Sequence, residues 1–227
     1  VCHTLDIQLI KKHSDEMASL KLQEMPKAYL FTSEEVKAKL VPGTVVCDVG
    51  CGSGMPMCTV AQLYPACQFY GVDLSEKTIA AARTRALEMK LSNVTFLQCD
   101  ASKMADNWKS KFDIVFAIDV VHDLPRPDLV HNEIMRIMKD DGIYIIEEPD
   151  GHSNHADNIG MHHAAWRYTW SMFRCLATSL YFDNSFGLGA MWGKERVMEF
   201  LEQMGFECVS SYTLDKIRRI VYLCRKK

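Results

Sequence analysis

Asp48-Val49-Gly50-Cys51-Gly52-Ser53-Gly54 joins two segments of different periodicity. Upstream, Thr44 to Val49 is an apolar, β-branched run that reads as a buried strand; downstream, the chain is helical to about Leu63. Glycines at alternate positions between a strand and a helix let backbone N–H groups approach a ligand closely. A dinucleotide-binding loop would carry its third glycine at position 55, where this chain has Met55, and that departure argues against a nicotinamide or flavin cofactor. Asp48, just ahead of the first glycine, faces the same crevice.

Working outward, the same alternation continues. Gln68 to Val72 predicts a second strand ending at Asp73, and Ser75 N-caps a helix from Glu76 to about Met89. Val94 to Gln98 predicts a third strand and Phe112 to Ile118 a fourth. Leu129 to Met138 follows as a helix, and Ile143 to Glu147 as a fifth strand after an Asp140-Asp141-Gly142 turn. Strands separated by helices imply a parallel α/β sheet. Residues 150–192 interrupt the rhythm with a loop from Gly151 to Gly160 and an aromatic helix from Met161 to about Leu180. A helix near Lys194–Met204 and strands near Glu207–Leu214 and Ile220–Cys224 close the chain as an antiparallel edge. At the other end, Asp15 to Tyr29 is helical in pattern, and Thr32 and Glu35 have capping-box spacing before a helix that Pro42-Gly43 stops. The expected organisation is a helical segment over residues 1–40 packed on one domain over 41–227.

A chain of 227 residues with 48 % hydrophobic and 24 % charged residues is long and apolar enough for a sizeable core, which excludes disordered classes. The net charge of −3 supplies no general field to gather nucleic acid. Nine cysteines without a Cys-x-x-Cys pair read as reduced thiols and point to a cytoplasmic protein. No run approaches a membrane span, and the charged N-terminal stretch is unlike a signal peptide. The initial Val1 suggests that something upstream is missing.

Asp73 ends its strand where an acidic side chain can accept hydrogen bonds from ribose hydroxyls, and Asp100 ends the next strand where it can meet an adenine amino group; each also suits a turn or cap. Together with the glycine loop, Gly71-Val72-Asp73-Leu74-Ser75, Cys99-Asp100-Ala101 and Phe112-Asp113-Ile114-Val115 resemble the class I S-adenosylmethionine-dependent methyltransferases. The resemblance covers about residues 40–227. It implies a Rossmann-like seven-stranded sheet of order 3-2-1-4-5-7-6 with its last strand antiparallel and helices on both faces. It also implies that Gly50, Gly52 and Gly54 hold the methionine portion of the cofactor, Asp73 the ribose and Asp100 the adenine, with Asp48, Leu74, Ala101 and Asp119 completing the set. Asp119-Val120-Val121-His122-Asp123 and Gly187-Leu188-Gly189-Ala190-Met191-Trp192-Gly193 resemble a narrower branch of this family that usually carries an N-terminal winged-helix domain, absent here.

Transfer of a methyl group from a sulfonium is an in-line displacement, and a base is needed only for a weak nucleophile such as a hydroxyl. His122 is the expected base, at the cofactor edge after the fourth strand; a structural histidine at a strand end is the competing reading. His152, His155, His162 and His163 crowd the insertion, but no cysteine or carboxylate pair stands at zinc spacing, and no metal is assigned. Met161, Trp166, Tyr168, Trp170, Met172, Phe173, Tyr181, Phe182 and Phe186 read mostly as a helix covering the core. By the family likeness this insertion, with Trp192, caps an apolar acceptor pocket. The residues after the fourth strand lack the Pro-Pro-aromatic turn of exocyclic-amine methyltransferases, and the C-terminal basic residues read as a solvated edge, so a small-molecule acceptor is expected rather than nucleic acid or membrane. A cofactor-binding regulatory or inactive homologue is the alternative.

Overall fold

The computed structural model describes residues 33–227. Ser33 leads in extended conformation, without a side-chain capping bond, into α1 (Glu34–Lys39), whose Val36 packs into the core. Thr32 and the helix expected over Asp15 to Tyr29 lie outside the described residues.

The elements then alternate as β1 (Val45–Val49), α2 (Met55–Leu63), β2 (Gln68–Asp73), α3 (Glu76–Glu88), β3 (Val94–Gln98), β4 (Phe112–Ile118), α4 (Pro127–Ile137) and β5 (Met138–Pro149). The insertion contributes α5 (Ala164–Trp170), a π turn over Ser171–Cys175 and α6 (Leu176–Ser179). The chain closes with α7 (Lys194–Gln203), β6 (Phe206–Leu214) and β7 (Arg219–Lys226). All seven strands form one sheet in the order β3-β2-β1-β4-β5-β7-β6, with β7 antiparallel to both neighbours, as expected.

Alternate residues of each central strand feed opposite faces, the period-2 consequence of the pleat. Val46, Phe69, Ile114, Ile145 and Leu223 point to the face covered by α1, α2 and α3. Cys47, Val115, Tyr144, Ile146 and Tyr222 point to the face covered by α4 and α7. On α4, Val130, Ile134 and Ile137 recur at helical spacing and are buried, which fixes that helix by its apolar stripe.

Two boundaries differ from the sequence reading. Helix α4 starts at Pro127 rather than Leu129, because a proline in the first turn gives up an N–H that has no helical acceptor. Asp140-Asp141-Gly142 is not a turn ahead of β5 but an irregularity within it: Phe112 pairs with Met138, whereas Ile114 pairs with Ile143. The extra residues loop outward, where Asp141 meets Lys39 at 2.8 Å and Asp140 meets Lys226 at 3.1 Å. Among the described residues no helix is long and apolar enough to cross a membrane.

Candidate functional site

The C-terminal ends of β1 to β4 carry every residue the sequence reading singled out as a ligand or base, the edge at which parallel α/β sheets bind ligands. Gly50 N and Cys51 N both donate to Val72 O, at 2.8 and 3.0 Å, which lays the glycine loop across the end of β2. A Cβ on Gly50 would sit 2.4 Å from Val120, and one on Gly54 would sit 2.5 Å from the Phe96 ring. These two glycines are packing requirements. At Gly52 a Cβ would meet nothing within 4 Å, and φ is +52°, so the smallest side chain there faces open space.

Asp73 braces that loop. Its Oδ2 accepts from Gly52 N at 3.0 Å, and its Oδ1 accepts from Ser75 N at 2.8 Å and Thr78 Oγ1 at 3.1 Å. The turn role foreseen as an alternative is therefore real. Asp100 has a similar local set: its Oδ1 accepts from Ser102 N at 2.9 Å and Ser102 Oγ at 2.7 Å. Leu74 is 66 % exposed, an apolar side chain presented to solvent at the end of β2, and Ala101 is half-buried beside Asp100. Asp48 is buried, and burial, reinforced by the nearby Asp73 charge, pushes its carboxyl up to about 7.

A second constellation lies after β4. His122 sits in a single 3-10 turn, Val121–Asp123, and is buried. Its Nδ1 is 2.7 Å from Glu148 Oε2, and its Nε2 is 3.5 Å from Asp123 Oδ1. Burial alone would lower the pKa of this ring. The Glu148 carboxylate outweighs it and, with a Cys175 hydrogen bond, holds the imidazole well above its ordinary range. Glu148 is itself pinned, since its Oε1 accepts from Val121 N at 3.2 Å and its Oε2 from Trp192 Nε1 at 2.9 Å. Beside it Arg219 pairs with Asp119 at 3.0 Å and with Glu147 at 3.1 Å, so Asp119, expected at the cofactor, is also an ion-pair partner. By contrast His131, equally buried, lies between Pro127 O at 2.7 Å and the Tyr144 hydroxyl at 3.0 Å, and burial pushes it down to about 4. It is a neutral core histidine.

The sequence reading missed Glu147, Glu148, Arg219 and Cys175. A signal for the acids was present: Glu147-Glu148 directly continues the apolar run Ile143-Tyr144-Ile145-Ile146, and the strand carries both into the interior. Two expectations are corrected. Trp192 lies in the core beside Phe200 rather than in a pocket wall, held by its bond to Glu148. The insertion aromatics do not cover the core: Trp166, Phe173, Tyr181, Phe182 and Phe186 are exposed. The helix instead buries its small residues Ala164, Ser171, Cys175 and Ser179, with Ser171 Oγ accepting from Ala190 N and Cys175 meeting His122.

The crowded histidines disperse. His152 pairs with Glu195 at 2.8 Å, His155 with the Tyr168 hydroxyl at 2.9 Å, and His163 with Asp150 O at 3.2 Å. The C-terminal basic residues are also engaged: Arg225 with Glu35, Lys226 with Asp140 and Lys227 with Glu202.

A family model described as a methyltransferase domain matches residues 40–205. The chain belongs to that family. Its methyl donor is S-adenosylmethionine, and the loop fits this group: one glycine faces open space, backbone N–H groups line the start of α2, and an acid stands at the end of β2. Among curated relatives, (S)-coclaurine N-methyltransferase of Papaver somniferum is 29 % identical over 60 % of this chain and 37 % of its own length. Ubiquinone biosynthesis O-methyltransferase of Albidiferax ferrireducens is 29 % identical over 45 % of this chain and 40 % of its own length. The chain thus spans about 40 % or less of the length of these two relatives. The crystal structure of an S-adenosylmethionine-dependent methyltransferase from Aquifex aeolicus superposes with a TM-score of 0.64 at 16 % identity, covering 94 % of this chain and 98 % of that one, a likeness of fold.

Proposed function

We propose that this methyltransferase domain transfers a methyl group to an oxygen of a small, partly apolar acceptor, with His122 as base. The carrying observation is the His122–Glu148 contact of 2.7 Å, a carboxylate that orients a ring nitrogen and favours the imidazolium formed when the other nitrogen takes a proton. The bound cofactor supplies an electrophilic methyl group. Gly50, Gly52 and Gly54 would hold its methionine portion, Asp73 the ribose and Asp100 the adenine, with Asp48, Leu74, Ala101 and Asp119 around them. The domain proper covers residues 41–227, and 150–192 would cap the acceptor. The relatives act at different atoms by name, and only the His–Glu pair favours oxygen here. The thiols among the described residues are free, which suits a reducing cytoplasm.

The test is a metabolite-extract screen for methylated product followed by His122→Ala. Turnover should fall by about 10²–10⁴-fold with cofactor affinity unchanged. Because Glu148 holds the ring protonated, the wild-type rate should keep rising at pH values above the ordinary histidine range. A second reading, a cofactor-binding homologue without turnover, draws on the burial of His122, only 3 % exposed. Cofactor bound with no methylated product in the screen would favour it.

A further inference from the structure

The geometry points to a binding site for a zinc-class divalent cation formed by His122 Nε2, Asp123 Oδ1 and Cys175 Sγ. Among the described residues this is the one group of three histidine, cysteine or carboxylate ligand atoms that lie within 4.8 Å of one another. Nitrogen, oxygen and sulfur donors together suit a borderline-soft ion such as Zn²⁺ or Co²⁺ and not Mg²⁺ or Ca²⁺. The nitrogen and oxygen are 3.5 Å apart. Ligands at about 2.0–2.2 Å from a tetrahedral centre stand roughly 3.4 Å from each other, so this pair already has the required separation.

Three further observations single out these atoms. Asp123 Oδ1 is buried and makes no hydrogen bond. An ion would relieve that unmet oxygen. Glu148 grips the opposite ring nitrogen, which fixes the tautomer and raises ligand basicity, the carboxylate–histidine arrangement found behind zinc-bound histidines. Cys175 closes a π turn, whose extra residue sets the phase in which its sulfur meets the ring, and such turns are frequent at functional sites. Binding displaces two protons to water, one from the imidazolium and one from the thiol, and leaves neutral His122, the Cys175 thiolate and the Asp123 carboxylate around the ion. With three protein ligands the fourth position stays open on the half-exposed Asp123 side.

The consequence for catalysis rests on the proposed role of His122. An ion at Nε2 takes the lone pair that would accept the acceptor's proton, so occupancy suppresses transfer to a hydroxyl.

The test is titration of the metal-stripped chain with Co²⁺, read by its thiolate-to-cobalt charge-transfer absorption. Saturation at one equivalent is expected, with displacement by Zn²⁺ and none by Mg²⁺. Cys175→Ala should abolish the band, Glu148→Gln should weaken affinity by about 10–100-fold, and Cys208→Ala should change neither. Circular dichroism checks each fold, and Asp123→Asn, with an expected loss of affinity, stands in if the cysteine variant does not fold. A band that survives in folded Cys175→Ala, or no saturable band in the wild type, overturns the site. The two readings separate cleanly: one-equivalent cobalt binding together with full turnover in metal-free His122→Ala would leave the site standing and remove the base.

Discussion

The two halves of the candidate site are built on opposite principles. On the β1–β3 side the candidate ligand surface is backbone, shaped by three glycines within five residues and braced by Asp73, whose Oδ2 accepts from Gly52 N. On the β4–β5 side the surface is side chain, and His122, Glu148, Cys175, Trp192 and Arg219 come from five separate stretches of the chain. A cofactor shared by a family can be met by a backbone cradle, which tolerates variation in neighbouring side chains. An acceptor particular to one protein needs chemistry that only dispersed side chains supply.

The largest effect expected under this contrast is at Gly52. A β-branched side chain at positive φ is strained and would fill the open space, so Gly52→Val should abolish measurable binding of S-adenosylhomocysteine by calorimetry while the sheet stays folded. Retained affinity would break the backbone-cradle half of the comparison.

On the other side, Glu148→Ala leaves a buried imidazolium beside orphaned donors. Breaking a buried pair by removing one partner should cost about 3–5 kcal/mol of stability in urea unfolding at neutral pH. A loss under about 1 kcal/mol would mean that the ring sheds its charge easily and that the pair is not the anchor of this half.

Asp48 sharpens the comparison because it puts a titrating group on the backbone side. Unfolded, it ionises near its ordinary value of 3.8; folded, it does so at about 7. Between those values the folded chain keeps a proton that the unfolded chain has lost, so stability falls as pH rises through the window and the loss is complete above about 7. The full cost is on the order of 4 kcal/mol. Asp48→Asn should therefore be more stable than the wild type at pH 8, with the difference shrinking toward pH 4, as unfolding curves at both pH values would reveal. A difference that does not vary with pH would remove the titration from the account.

The smallest effect is at Trp192. Phe preserves most of the packing beside Phe200 but removes the indole N–H on Glu148, which should cost about 1.5 kcal/mol, measured by the same unfolding assay. An unchanged midpoint would show that Glu148 needs only His122 and Val121 to hold it.

How far each half was legible in the sequence follows from the same difference. Glycine spacing, strand-end acids and β-branched runs are local signals, so the strands, the loop and Asp73 could be read directly, whereas the sheet order came from the family resemblance those motifs carry. His122 was legible because it follows β4 directly. Its partners were not, since nothing local distinguishes Cys175 from the other thiols, and Arg219 looked like one of several basic residues near the end of the chain. Glu148 was readable in principle, as an acid carried along inside an apolar strand. The aromatic insertion misled because ring content suggests burial, whereas the small residues spaced along the same helix are the ones it buries.

The π turn at Ser171–Cys175 has a consequence for how the insertion tolerates change. One extra residue in a turn rotates everything beyond it by about 100° relative to a continuous α-helix. Before the turn, Arg167 reaches the carbonyls of Ile217 and Arg218; Cys175 at its end and Ser179 beyond it are buried, and Cys175 meets His122. A single helix thus addresses two neighbours that no unbroken helix would meet in the same orientation. Deleting one residue there would keep the composition, the exposed rings and the length of the insertion almost unchanged, yet swing the thiol out of reach of the imidazole.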